Sequence, residues 1–272
     1  MFSAKVRQRS TAKNANLWLL ALLLIPMMAL ILGTAVPGAW ADDDDEDEEI
    51  PFDEAMIFFE LNDTDGDLGI HALIDGEAWK TLEIEDPRGR EILDIKVKRS
   101  LRRQGLTEIF FESAEPTFDE LDPEDFFRRF PEGEYEIEGK TIDGEELESE
   151  VYVSHVMPAP PADVMVDGEE AAEDCDADLP VVSGDVTISW DEVTESHPEI
   201  GIPGEEIEVD LYELVIENLE SELSLTVELE DTEFEVPAAF IAPGDTIKFE
   251  ILVHADNGNK TAVESCFIVG TP

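Results

Sequence analysis

The chain has 272 residues, of which 68 are Asp or Glu and 17 are Lys or Arg, giving a formal net charge of −51. That balance excludes nucleic acid as a partner, because a phosphate backbone is bound by neutralising it with Lys and Arg, and an anionic membrane surface would repel the chain for the same reason. What remains is a solubilising acidic surface, or one that collects divalent cations.

Residues 1–41 carry Lys5, Arg7, Arg9 and Lys13 with no acid, then the apolar run Leu17 to Gly33, then Ala39-Trp40-Ala41. This order predicts a secretory signal peptide cleaved after Ala41, and hence a secreted or periplasmic protein with no membrane attachment. An uncleaved anchor is the alternative, since the run is only slightly shorter than the ~20 apolar residues of a spanning helix. Cleavage would move the charge to 13 − 68 = −55. Asp42 to Glu49 is an unbroken run of acids that repel one another and bury nothing, so 42–52 reads as a disordered acidic leader. The 231 residues after Ala41 exceed a typical domain of ~100 to 150, so two domains are expected.

From 53 to 157 short alternating segments follow one another: Ala55 to Leu61, Gly69 to Ile74, Thr81 to Glu85, Ile92 to Lys98, Glu108 to Glu112, Gly133 to Glu138 and Leu147 to His155. In Leu93 to Lys98 apolar and charged side chains alternate, as a half-buried strand requires. Asp65-Gly66, Asp75-Gly76, Pro87-Arg88-Gly89 and Asp143-Gly144 supply turns. Regular short strands between turns predict a β-sandwich or barrel. One short helix is expected after Asp122, with Pro123 in its first turn, Arg128 and Arg129 in its last, and Phe126, Phe127 and Phe130 as a packing face.

Met157-Pro158-Ala159-Pro160-Pro161 favours an extended path. Residues 158–162 are accordingly read as a linker. A second strand series fills 163–272: Val164 to Val166, Asp185 to Trp190, Leu211 to Glu217, Ser224 to Glu228, Thr232 to Val236, Thr246 to His254 and Ala262 to Val269. Val186 to Trp190, Leu211 to Glu217, Phe234 to Pro237, Pro243 to Thr246 and the alternating Phe249, Ile251 and Val253 stand in an order that resembles the fibronectin type III module. The resemblance implies that Trp190 is the core tryptophan of the second strand and that Tyr212 opens the third. It also implies that the usual corner tyrosine is replaced by Ile247. The stretch Glu192 to Asp210 is longer than a simple connection and reads as an inserted loop. In the first half, Gly133-Glu134-Tyr135 is similar to the Gly-x-Tyr corner of immunoglobulin-like domains, which implies that Tyr135 bonds back to the main chain. The fold expected is therefore all-β, two tandem antiparallel immunoglobulin-like or fibronectin type III-like sandwiches.

An oxidising compartment permits a disulfide between Cys175 and Cys266, two free thiols being the alternative. Such a bond would tie the first-strand region of the second half to its last strand. The loop Asn62 to Ile70 carries Asp63, Asp65 and Asp67 at alternating positions, the oxygen pattern of a calcium site. It lacks that pattern's sixth-position glycine and twelfth-position glutamate, and an acidic hairpin turn with Gly66 and Gly69 at positive φ is the other reading. Calcium is the one cofactor this pattern admits. Lys96, Lys98, Arg99, Arg102 and Arg103 form the only basic cluster along the sequence after Ala41, suited either to the chain's own carboxylates or to an anionic polymer. His71, His155, His197 and His254 have no zinc spacing, and no Gly-x-Ser-x-Gly elbow occurs, so no enzyme is expected. The function expected is that of an exported non-catalytic binding or structural protein, in adhesion, envelope scaffolding or carbohydrate recognition, with an unidentified protein or polysaccharide as partner. A calcium-binding secreted protein and an accessory domain of a polysaccharide-degrading system are the alternatives.

Overall fold

The computed structural model describes residues 49–271; the expected signal peptide and the acids at 42–48 lie outside the described residues. The first half contains β1 (Glu54–Asn62), β2 (Asp67–Glu85), β3 (Glu91–Lys96), α1 (Arg99–Gln104), β4 (Leu106–Glu112), α2 (Pro123–Arg129), β5 (Gly133–Thr141), β6 (Glu146–Val153) and β7 (Val156–Pro158). Period-two patterning decides which face each strand buries: in β5, Tyr135 and Ile137 are buried while Glu134, Glu136 and Glu138 are exposed.

The two segments expected on either side of an Asp75-Gly76 turn are one strand, β2. Its first part pairs with β1 and β4, and it pairs with β5 from Trp79 and with β3 from Thr81 onward. Register shifts between Asp75 and Trp79 and between Trp79 and Thr81 accompany the change of partners. Gly76 makes no turn there. A Cβ on it would stand 3.0 Å from the Phe52 ring, so the glycine allows close approach of the chain start. The layers β4–β2–β1 and β3–β2–β5–β6 enclose a core that includes Phe59, Leu61, Ile74, Trp79, Leu82, Ile84, Tyr135 and Ile137. The helix α2 begins as the sequence predicts, with the Asp122 carboxylate accepting from the Glu124 N–H at 2.8 Å. Its Phe126 and Phe127 rings stand edge-on to Phe59. Tyr135 donates its hydroxyl to the Pro131 carbonyl at 3.1 Å.

The second half contains β8 (Met165–Val166), β9 (Glu169–Glu170), β10 (Val181–Val182), β11 (Val186–Ser189), β12 (Ser196–Gly201), β13 (Val209–Asn218), β14 (Leu223–Leu229), β15 (Glu233–Val236), β16 (Thr246–Ala255) and β17 (Lys260–Val269). Sheet β15–β11–β8–β9 faces β14–β13–β16–β17 over Ile188, Trp190, Leu214, Ile216, Phe249, Ile251 and Phe267. Trp190 packs edge-on to Tyr212, whose hydroxyl accepts from the Val193 N–H at 2.9 Å. Ile247 is fully buried. Cys175 and Cys266 are joined by a disulfide across 91 residues.

The two cores share one sheet. β1 pairs in parallel with β17, which places β14–β13–β16–β17–β1–β2–β5–β6 in a single sheet of strands. The described residues accordingly form one compact unit. Met157 and Pro158, expected at the head of a linker, are strand residues instead. Their strand β7 pairs with β12, which lies in the stretch expected as a loop. Asn259, 1% exposed, sits at this seam. Its Oδ1 accepts from the Phe59 N–H at 2.9 Å, and its Nδ2 donates to the carbonyls of Ser154 at 2.8 Å and Val156 at 2.9 Å. Thr261 donates to the Pro158 carbonyl at 2.7 Å.

The outer face of the seam carries charge. Glu250 on β16 stands opposite Glu264 on β17, Glu264 bonds Lys248 at 2.5 Å and Asn62 at 3.2 Å, and Glu60 on β1 lies 3.7 Å from Lys260. Burial, then the neighbouring Glu264 and Glu60, push the Glu250 carboxyl up to about 7. Burial likewise raises Glu60. His254, also partly buried beside Lys260, is held down to about 4.

Two outcomes are expected. Asn259→Ala leaves the Phe59 N–H and the Ser154 carbonyl without this partner in a buried seam, and urea unfolding should show a loss of about 2–4 kcal/mol. A carboxyl raised in the folded state binds its proton more tightly there than in the unfolded chain, so its contribution is present at low pH and is lost as pH rises from about 4.5 to 7. His254 opposes this below about 6.5, but Glu60, Asp67 and Glu250 outnumber it. Tm should therefore be higher at pH 5 than at pH 7.5, and Glu250→Gln should raise Tm at pH 7.5 by a few degrees and flatten the profile.

Candidate functional site

The acidic loop is a capped turn that ties the two cores together. The Asn62 Oδ1 accepts from the Thr64 and Asp65 N–H groups at 3.0 and 3.1 Å, and Gly66 takes φ +67°. Asp63 accepts from His197 Nε2 at 2.9 Å. The ring's other nitrogen accepts from the Glu199 and Ile200 N–H groups, which places the proton on Nε2. Asp67 opens β2, where burial and then Glu115 and Asp65 raise its carboxyl to about 6. Gly69 is an extended strand residue and not a second positive-φ glycine. Its missing side chain leaves room for Glu115, whose Oε1 would lie 2.5 Å from a Cβ there. Among the described residues no group of three or more His, Cys, Asp or Glu is placed to hold a metal ion.

The histidines serve different neighbours. His71 bonds Glu115 at 2.8 Å, His155 stacks on Phe127 and bonds the Phe130 carbonyl, and His254 lies 3.6 Å from Glu213. They are not brought together with one another.

The basic segment Lys96 to Arg103 ends β3 and forms α1. Arg99, Arg102 and Arg103 fall on one face of the helical turn by their three- and four-residue spacing, and α1 has no buried residue. Lys96 bonds Asp94 at 2.6 Å. Lys98, Arg99, Arg102 and Arg103 form no ion pair with any described carboxylate.

A second cationic cluster corrects the expectation of a single one. The turn between β2 and β3 carries Arg88 and Arg90, and the end of α2 carries Arg128 and Arg129. Arg88 donates to the Arg128 carbonyl at 3.3 Å and Arg90 to the Arg129 carbonyl at 3.4 Å, so the two guanidiniums cap the helix. Arg90 is anchored in turn on the buried carboxylate of Asp86, with Nε donating at 2.7 Å. Burial works against ionising Asp86, but Arg90 and the N–H groups of Arg88 and Arg90 outweigh it and hold the carboxyl below its usual range. Arg128 pairs with Asp125, while the Arg129 side chain has no hydrogen bond or ion pair among the described residues. Arg90, Asp125, Arg128 and Arg129 line an open surface depression. The arginines are about forty positions apart in sequence. Their only signals were the Pro87-Arg88-Gly89 turn and the arginines of the helix end, and nothing in spacing showed that these meet.

The Cys175–Cys266 disulfide is compatible with an extracellular or periplasmic location, and no helix among the described residues is long and apolar enough to cross a membrane. No protein-family model and no curated protein matches the chain. Among solved structures it is similar to a two-domain fibronectin type III segment of chicken tenascin, with 10% identity over 79% of this chain and 97% of that one, at a TM-score of 0.27. It is also similar to a chain of a cytokine receptor complex, with 14% identity over 80% of this chain and 98% of that one, at a TM-score of 0.26. Likenesses at such TM-scores carry no argument about function, and the all-β sandwich architecture stands on the strand pairing itself.

Proposed function

We propose that the chain is a non-catalytic binding module of an exported protein, with α1 as its recognition element and an acidic polysaccharide as its partner. The observation that carries this reading is the exposure of Lys98, Arg99, Arg102 and Arg103 without ion pairs among the described residues, on a chain that has 68 acidic residues. Like charges spaced three and four apart destabilise a helix. Carboxylates are abundant elsewhere on the surface, so an anionic ligand would supply the countercharge that the fold withholds here. The chain's overall negative field does not prevent this, because exposed charges more than about 8–10 Å away are largely screened at physiological salt. The disulfide supports export, and the seam supports a mounting in which the patch keeps its place relative to both cores. Adhesion, envelope scaffolding and a place beside polysaccharide-degrading enzymes are all uses of the same contact.

Binding to immobilised polygalacturonate, with neutral dextran as control, tests it. The chain should bind the acidic polymer alone, more weakly as salt rises, and the pair Arg102→Ala and Arg103→Ala should abolish binding while leaving Tm within a degree or two. Equal behaviour on both polymers, or binding indifferent to the two substitutions, would remove the proposal.

A further inference from the structure

Nine of the thirteen Lys and Arg residues after Ala41 lie at the two ends of one edge strand, β3. Arg88, Arg90, Arg128 and Arg129 are gathered before its first residue, Lys96 is its last, and Lys98, Arg99, Arg102 and Arg103 follow. Among the described residues β3 pairs with β2 alone, and none of them adds a strand to its other edge. Its six residues set the two clusters roughly 20 Å apart at about 3.3 Å per residue.

We propose that the depression lined by Arg90, Arg128 and Arg129 is a second anion-binding subsite, and that with α1 it makes a two-point site for one extended polyanion lying along β3. The inference rests on the α1 reading and adds to it a subsite and a length requirement. Each arginine of the depression has a distinct part. Arg90 is locked by Asp86 and by the α2 carbonyl, so it positions the rim and is not free to move. Arg129 has no partner for its side chain among the described residues, and Arg128 has only the exposed Asp125, so these two guanidiniums are available to a carboxylate or sulfate group. A planar guanidinium fork matches such a group with two parallel hydrogen bonds, which lysine does not offer. Between the clusters β3 presents Glu91 and Asp94. A ligand must therefore be held at the ends of the strand, and this favours a chain with spaced charges over a compact anion.

Two linked subsites bind a spanning ligand more tightly than either does alone, by a factor set by the effective concentration of the second contact. Calorimetric titration of the folded chain with size-fractionated oligogalacturonates, and separately with heparin oligosaccharides, reads this out. Affinity should rise steeply once the oligomer is long enough to span the two clusters. Arg129→Ala should then weaken the long oligomer by about tenfold or more and leave the dimer on α1 unaffected. A preference between the two series tells carboxylate from sulfate as the recognised group. If Arg129→Ala and Arg128→Ala leave long-oligomer binding intact while Arg102→Ala with Arg103→Ala abolishes it, the second subsite is overturned and the α1 reading stands. If the reverse holds, the α1 reading falls and the depression alone binds. If neither series binds, both fall.

Discussion

The parallel pairing of β1 with β17 is the constraint on which the rest of the structure depends. Parallel strands need a long connection between them, and here that connection runs from residue 63 to residue 259, with the first strand of one core lying against the last strand of the other. The main-chain ladder is short, three residue pairs from Glu60↔Lys260 to Asn62↔Ala262. Buried side chains extend it. Asn259 satisfies one donor and two acceptors from the other half, Asn257 donates to the Val156 carbonyl, and His197 reaches Asp63. A buried polar group stabilises only when its partners are all present, so the seam specifies one arrangement of the two cores.

Charge is distributed on the same plan. Acids outnumber the bases four to one, and where they crowd at the seam some are buried far enough to resist ionising, as Glu250 does. The cations of the described residues are gathered at the β3 edge of the first half, apart from Lys80, Lys140, Lys248 and Lys260. Lys248 and Lys260 serve the seam by pairing with Glu264 and Glu60. Bringing Arg88 and Arg90 against the end of α2 gives the helix its carbonyl partners and leaves a cationic rim exposed, so a stabilising contact and a candidate binding surface come from the same side chains.

Local physics made much of this legible in the sequence. Period-two alternation located nearly every long strand, and Asp122 and Pro123 marked the helix start, while the structural parts of Tyr135 and Trp190, both buried, came from the family resemblance. The errors came where tertiary packing overrides a local signal. Asp75-Gly76 has turn chemistry, yet the glycine is used to let Phe52 approach a continuous strand. Pro158 lacks an N–H, yet it tolerates a place in β7 because an edge pairing of three residues makes few demands on donors. The contact of Asp63 with His197, 134 positions away, has no local signal at all. Long-range pairings such as these, and the meeting of Arg90 with Arg129, leave no periodic trace in the chain.

Native-state hydrogen exchange across the seam tests the central claim most directly. The Phe59 amide, bonded to Asn259, and the Asp63 amide, bonded to the Ala262 carbonyl, should exchange only through global unfolding, at rates matching the slowest amides of β5 and β16 and with the same dependence on denaturant. Exchange of these two amides through a lower-energy opening, with both cores still protected, would show that the halves part independently and would contradict the account.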